Sequence, residues 1–195
     1  GSEMCIRDSL GAVAELTEVR ARAGHFRLAV DRAFTVVGAG LVVTGTVFSG
    51  TVAIGERLLV SPRGDEVRVR GIHAQDRKSG RGVAGDRCAL NIVGGSLRRD
   101  GIGRGDWVLA TGAHLPVHRI DATVRSLQDE ERPLAHWSPV HVHLASADVT
   151  GRVALLGARS IPPGGSALVQ LVLDRPIGAL HGDRFVLRDQ SAWRT

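Results

Sequence analysis

From residue 26 onward, apolar residues recur with the two-residue period of β-strands, and no later segment keeps helical spacing over a useful length. Alternating apolar and polar residues predict half-buried strands at 26–30, 67–70 and 140–144. Denser apolar runs at 41–43 and 168–173 predict strands that are covered on both faces. This pattern excludes a helical bundle or an alternating α/β fold over most of the chain.

Turn signals separate these predicted strands at short intervals. The chain has 25 glycines in 195 residues, and clusters of glycine, proline and aspartate stand at 62–65, 94–95, 101–106, 162–165 and 182–183. Many short strands joined by such turns are typical of β-barrels. We therefore predict an all-β chain built mainly as consecutive barrels.

A domain boundary is predicted at residues 112–116, between a strand that ends at Ala110 and one that starts at Val117. It gives two barrels, at 25–112 and 116–195, each near the small end of the usual domain range. A linker this short favours a fixed arrangement of the two barrels.

The first 24 residues differ from the rest. Residues 4–9, Met-Cys-Ile-Arg-Asp-Ser, resemble the translation of a sequencing adaptor, so residues 1–9 are expected to be non-native. Residues 10–22 show helical spacing and are followed by Gly24, which predicts one amphipathic helix. We interpret residues 10–24 as the remnant of an upstream domain; a native helix docked on the barrels is the alternative.

The charge of the chain comes almost wholly from arginine. The formal net charge is +5, and Lys78 is the single lysine. Arginine pairs bidentately with phosphates and carboxylates, which makes a polyanionic partner plausible, although a solvated basic surface gives the same composition. Aromatic residues make up only 4% with no tyrosine, which argues against an array of rings that stacks single-stranded bases. Recognition of RNA shape and backbone fits this composition better.

Membrane and redox signals are weak. No stretch approaches the ~18 consecutive apolar residues of a spanning helix, and the start lacks the order of a secretory signal. A cytoplasmic protein without a membrane partner is expected. Cys5 and Cys88 stand in different contexts, so a structural disulfide is not expected, and Cys88 is interpreted as a small buried residue.

Two histidines raise the question of a metal site. His141 and His143 stand two apart on a predicted strand, so they share a face and have the spacing to bind a metal together. No carboxylate or cysteine with convincing ligand spacing stands near them. A metal is therefore not expected, but a metal hydrolase remains a distinct functional hypothesis.

Several segments together carry a resemblance to a known family. They are residues 26–35, 38–47, 70–75, 104–107, 149–156 and 184–192. The first two resemble the opening of the second domain of translation GTPases. The next two, with the first, narrow the resemblance to the selenocysteine-specific elongation factors, and the last two resemble the third domain of that family. The resemblance covers residues 25–195 and implies two consecutive β-barrels of the translation-factor type.

The resemblance implies a monomeric carrier of selenocysteinyl-tRNA to the ribosome at recoded UGA codons. In that family the first domain binds GTP and magnesium, the second holds the aminoacyl end, the third contacts the tRNA, and C-terminal domains read an mRNA hairpin. This chain would hold only the middle two domains. Consistently, residues 40–45 are followed by Thr46 and not by the lysine of a phosphate-binding loop. No catalytic residue, cofactor or GTPase activity is therefore expected in the chain itself.

The pocket residues of the family map onto Asp31, Arg32 and Arg87. A selenol is largely anionic at neutral pH whereas serine stays neutral, so a cationic pocket can select by charge. Arg32 and Arg87 would supply positive charge and hydrogen-bond donors to the selenolate. Asp31 would orient an arginine or accept a hydrogen from the aminoacyl group. The alternative is an Asp31–Arg32 ion pair at a strand end, with Arg87 merely solvated.

The second barrel offers candidate contacts to tRNA phosphates at Arg152, Arg159, Arg184 and Arg188. Because side chains alternate along a strand, only some of these can face RNA. The alternative function is the barrel pair of a general translation GTPase, an EF-Tu-like or initiation-factor-like carrier of ordinary aminoacyl-tRNA. A neutral or acidic pocket would favour that alternative.

Overall fold

The computed structural model describes residues 24–94 and 101–189, which form β-strands and one short 3₁₀ helix. The prediction of an all-β chain is confirmed. Residues 1–9, the predicted helix at 10–22, and residues 190–195 lie outside the described residues. None of the described segments forms a helix with the length and apolarity needed to span a bilayer.

The first half of the chain is a closed barrel. Its strands are β1 (Arg27–Val36), β2 (Gly40–Ser49), β3 (Thr51–Ala53), β4 (Arg57–Ser61), β5 (Asp65–Ala74), β6 (Arg77–Ser79), β7 (Arg81–Val83), β8 (Arg87–Val93) and β9 (Trp107–Leu109). The sheet order is β4-β9-β1-β2-β8-β5, and β4 also pairs with β5, which closes the barrel. β6 extends the sheet from β5, and β3 pairs with β7. Closure removes the free edges that an open sheet would expose.

The second half is an antiparallel half-barrel. Its strands are β10 (Pro116–Arg125), β11 (Leu134–Ala135), β12 (Ser138–Leu144), β13 (Ala147–Leu155), β14 (Ser160–Ile161), β15 (Ser166–Gly178) and β16 (Phe185–Asp189). Five of them form a sheet in the order β10-β15-β13-β12-β16, while β11 pairs with β14. The 3₁₀ helix Thr111–Ala113 connects the two halves. Within the described ranges the half-barrel stays open between β10 and β16.

Burial follows the predicted alternation in two of the three segments. Val67 and Val69 are buried and alternate with exposed charged residues. Val140, Val142 and Leu144 are also buried at every second position. The prediction of two covered faces at 168–173 is wrong, because Leu168 is 61% exposed. Burial alternates along β15, so only the inward side chains of the half-barrel reach its core.

Residues 26–30 also depart from the prediction, but they are more buried than expected. All of them are buried, although the sequence predicts a strand with one polar face. The reason is that the outer face of β1 packs against the second half of the chain: Ala29 and Trp107 belong to the same apolar cluster as Val142 and Leu171. Trp107 also packs edge-on against Phe48, with ring centroids 5.2 Å apart. The closed barrel keeps its own apolar core, and the outer faces of β1 and β9 join the core of the half-barrel.

Cys88 is buried in the first barrel, as predicted. Its sulfur lies 2.8 Å from the position that a Cβ on Gly82 would occupy, so the thiol fills the space left by that glycine. Burial, with a smaller effect from the charge of Asp86, raises the pKa of the Cys88 thiol to about 11. A thiol that stays protonated at neutral pH is a poor nucleophile, so Cys88 has a packing role.

Candidate functional site

A β-bulge in the hairpin of β1 and β2 sets the geometry of the predicted pocket. Val30 lies opposite Gly45 and Arg32 lies opposite Thr44, so Asp31 is the extra residue on β1. Val30 is fully buried and Ala33 packs against the core, so both residues between them lie on the outer face. The bulge thus presents a carboxylate and a guanidinium side by side, where regular alternation would point one of them inward.

Asp31 is held by two neighbouring strands. The Thr44 hydroxyl donates a hydrogen bond of 2.6 Å to Asp31 Oδ1, and Arg87 Nη1 donates to Asp31 Oδ2. Arg87 opens β8, which pairs with the other side of β2. The structure therefore brings Asp31 and Arg87 together as an ion pair, whereas Arg32 acts on Asp31 through its charge. Arg32 lies exposed on the same face.

The electrostatics favour the ionised forms of Asp31 and Arg87. Partial burial has the largest single effect on Asp31 and would raise its pKa. The hydrogen bonds from Arg87 and Thr44 and the charges of Arg87 and Arg32 outweigh burial, so the pKa of Asp31 lies below its ordinary value. The hydrogen bond and charge of Asp31 raise the pKa of Arg87 in turn. Within the cluster two guanidinium groups face the one carboxylate of Asp31, and the charge of Asp76 acts on Arg87 in addition.

Thr44 is a site residue that the sequence analysis missed. It lies within the segment 38–47, but the alternation of apolar and polar residues in that segment does not show which side chain the Thr44 hydroxyl contacts. The signal lies in the strand register, because the bulge places Thr44 opposite Arg32 and beside the Asp31 carboxylate.

The predicted RNA-contacting arginines divide into two groups. Arg152 lies opposite Pro139, and Arg188 lies opposite His141, so both share the outer face of β13, β12 and β16. We call this face, defined by His141, Arg152 and Arg188, the outer strip. Arg159 lies in the connection between β13 and β14, and Arg184 directly precedes β16. All four arginines are exposed.

The two histidines on β12 face Asp148 of β13. His141 Nδ1 lies 2.9 Å from Asp148 Oδ1, and His143 Nδ1 lies 3.9 Å from the same oxygen. The hydrogen bond from His141 has the largest effect on Asp148; with the charges of His143, His141 and Arg175 it outweighs burial and lowers the pKa of that carboxyl. Across residues 24–94 and 101–189, no group of three or more His, Cys, Asp or Glu side chains is arranged to hold a metal ion.

Comparisons with known proteins agree with this architecture. A family model described as elongation factor Tu domain 2 matches residues 40–109. A second model, described as the beta-barrel domain of selenocysteine-specific elongation factor, matches residues 120–195. The crystal structure of a bacterial selenocysteine-specific elongation factor, EF-Sec, superposes with a TM-score of 0.74 at 23% identity, over 96% of this chain and 30% of that chain. The class is therefore that of the barrel domains of translation elongation factors.

Sequence relatives narrow the class to one family. The selenocysteine-specific elongation factor of Escherichia coli strain K12 is 44% identical over 170 residues, which cover 87% of this chain and 26% of that protein. The corresponding factor of Haemophilus influenzae is 37% identical over 183 residues, covering 94% of this chain and 28% of that protein. The chain belongs to the selenocysteine-specific elongation factor family and corresponds to its barrel domains. It spans about a quarter of the length of these relatives.

Proposed function

We propose that this chain binds the aminoacyl end of selenocysteinyl-tRNA for a GTP-dependent elongation factor. In the whole factor, the ligand would be delivered to the ribosome at recoded UGA codons in the cytoplasm. GTP and magnesium would be held by a domain N-terminal to the barrels, and an mRNA hairpin by domains C-terminal to them. The observation that carries the proposal is the Asp31–Arg87 ion pair with Arg32 beside it on the outer face of the first barrel.

The ion pair prepares Arg87 to receive an anion. A guanidinium has several N–H donors in a fixed plane, and the contact with Asp31 uses only part of them. The side chain of Arg87 is 59% exposed, so the remaining donors face the solvent. Asp31 is itself fixed by Thr44, which limits the rotation of the pair. The geometry therefore supports a positioned set of donors at a surface that an aminoacyl group can reach.

The charge balance supports selection of selenocysteine over serine. Asp31 compensates Arg87, on which the charge of Asp76 also acts, so the charge of Arg32 is the one that remains to attract a selenolate. A hydrogen bond to a charged group contributes about 1.5–3 kcal/mol, whereas one between neutral groups contributes about 0.5–1.5 kcal/mol. A serine hydroxyl can also accept a hydrogen bond from a guanidinium, but it lacks the attraction between two opposite charges that a selenolate gains. The cluster therefore favours the anionic ligand, which a neutral pocket would not.

Arg87→Ala and Arg32→Ala should each lower the affinity for selenocysteinyl-tRNA by about 10- to 100-fold, because each removes a charge-assisted contact. The affinity for seryl-tRNA on the same tRNA should change much less. The measurement is the dissociation constant of each aminoacyl-tRNA for a GTP-bound factor that carries the substitution.

A matched control is Arg81→Ala, which removes an exposed arginine of β7 in the same barrel. This variant should leave both affinities unchanged. Equal losses for the two ligands in Arg87→Ala and Arg32→Ala would refute selection by charge and would instead favour a general aminoacyl-tRNA carrier.

A further inference from the structure

Trp137 has an unusual backbone conformation for a large aromatic residue. It lies in the turn between β11 and β12 with a φ of 68°, in the left-handed region that bulky side chains rarely adopt. Its residue surface is 48% exposed. A strained conformation of this kind persists only where the surroundings enforce it, and such positions cluster at binding sites.

The surroundings of Trp137 enforce this conformation. The Trp137 amide donates a 2.7 Å hydrogen bond to the carbonyl of Val153. On the preceding residue, the His136 amide donates to the carbonyl of Arg159, and His136 Nδ1 accepts from the Leu155 amide at 3.1 Å. Both residues of the turn are therefore hydrogen-bonded to neighbouring segments of the half-barrel. These bonds hold the backbone that carries the indole in a fixed position.

Arg152 connects Trp137 to the outer strip. Its guanidinium carbon lies over the indole, 5.9 Å from the ring centroid, and its Nη1 donates to the Trp137 carbonyl at 3.3 Å. Arg152 is exposed and lies on the same face as His141 and Arg188. The exposed indole thus stands beside the outer strip, with Arg152 already placed against it. The carboxylates of Asp148 and Asp174 lie farther along the same face, so Arg152 and Arg188 are its cationic part.

We infer that Trp137 and Arg152 form a nucleotide contact for the RNA ligand, with the indole packed against a nucleoside and the guanidinium beside the adjoining phosphate. The inference rests on the proposed function for its ligand class, and it adds a residue that the sequence analysis did not select. An aromatic face can pack against any base or ribose, and arginine pairs with phosphate. The two arginines Arg152 and Arg188 favour an anionic RNA over an apolar protein surface. One indole makes no stacking array, so its role is to fix the register of the RNA on the half-barrel.

The test is binding of an unacylated selenocysteine tRNA transcript to the whole chain at low salt, followed by fluorescence anisotropy. Trp137→Gly should weaken binding by about 5-fold or more, which is the effect of losing one base–aromatic contact. Glycine adopts a positive φ without strain, so Trp137→Gly should keep the thermal midpoint of the unaltered chain. Trp137→Asn is a second test variant, because asparagine also tolerates this backbone conformation. Trp137→Phe should retain most of the affinity.

The salt dependence separates the two side chains. Trp137→Gly should leave the slope of log affinity against log salt unchanged, because no charge is lost. Arg152→Ala should reduce the magnitude of that slope by roughly 0.7–0.9 if its phosphate contact is lost. Binding of heparin, an anionic polymer without bases, should be the same for Trp137→Gly as for the unaltered chain.

A matched control is Leu127→Ala, which removes another exposed apolar side chain of the same half of the chain and should leave RNA affinity unchanged. Unchanged tRNA affinity in both Trp137→Gly and Trp137→Asn would overturn the inference while leaving the proposed function intact. Absence of tRNA binding by the unaltered chain at low salt would count against the proposed function and the nucleotide contact together.

Discussion

Asp183→Ala should lower the free energy of unfolding by about 3–5 kcal/mol, because it leaves a buried arginine without its counter-charge. Arg27 of β1 donates to both carboxylate oxygens of Asp183, at 2.9 and 2.7 Å. Only 7% of the Arg27 side chain and 13% of the Asp183 side chain are exposed. The pair joins the first strand of the closed barrel to the loop before β16 of the half-barrel.

The neighbours of Arg27 cannot replace Asp183. The guanidinium carbon lies 4.3 Å from the ring centroid of Trp107, so an aromatic face covers one side of it. Its Nε is buried without a hydrogen-bond partner among the described residues. Asp183 Oδ2 also accepts from the Leu180 amide at 2.9 Å, so the substitution removes a support of that loop as well. The loss should therefore weaken the contact between the two halves of the chain.

Urea denaturation followed by circular dichroism measures this effect. Arg27→Met combined with Asp183→Leu removes both charges and should cost less than Asp183→Ala alone. Asp65→Ala is the matched control, because Asp65 pairs with Arg63, whose side chain is 44% exposed. It should cost at most about 1 kcal/mol. Similar small losses for Asp183→Ala and Asp65→Ala would show that the buried pair does not stabilise the junction.

Gly45→Ala should lower the thermal midpoint by about 6–12 °C, which corresponds to a loss of about 3 kcal/mol for a chain of this size. A Cβ at position 45 would lie 2.0 Å from the carbonyl oxygen of Ala29 and 2.9 Å from Leu28 Cδ2. The first of these atoms belongs to the backbone, so the two strands must separate to admit a methyl group. Gly45 stands opposite Val30, directly beside the bulge that carries Asp31. The substitution should therefore disturb the pocket as well as the barrel.

Differential scanning calorimetry measures the midpoint, with Gly80→Ala as the matched control. A Cβ at position 80 would have no neighbour within 4 Å, and Gly80 does not have a positive φ. This variant should keep its midpoint within the range of an ordinary surface substitution, about 0.5 kcal/mol. An unchanged midpoint in Gly45→Ala would contradict the close approach of β1 and β2 at the bulge.

The sequence predicts the local period of the strands better than their surroundings. Alternation at 67–70 and 140–144 identifies the buried side chains, because the period of a strand is a local property. The burial of Arg27 and Ala29 could not be predicted, since their outer face is covered by residues far along the chain, such as Asp183. Leu168 is exposed although its apolar run predicts burial, because hydrophobicity alone does not show whether a second layer of the protein covers a side chain.

In the candidate site, too, the sequence predicts the residue types but not their arrangement. The residue types at 31, 32 and 87 can be selected from the family resemblance, but their geometry depends on strand register. The bulge in β1 puts Asp31 and Arg32 on one face, and β8 brings Arg87 from 56 residues away. Thr44 completes the cluster through pairing that no sequence period reveals. Local patterns therefore predict the elements, and long-range pairing decides which side chains meet.

The most direct test of the central proposal compares selenocysteinyl-tRNA with seryl-tRNA on the same tRNA body. The measurement is the dissociation constant of each for a GTP-bound factor that carries this chain, at neutral pH and at mildly acidic pH. We expect binding of the selenocysteinyl form to be at least about 10-fold tighter at neutral pH. Because the pKa of Asp31 is lowered, its carboxylate stays ionised on mild acidification, and the preference should shrink only as the selenol gains a proton. Equal affinities at neutral pH would contradict recognition of selenocysteine by this pocket.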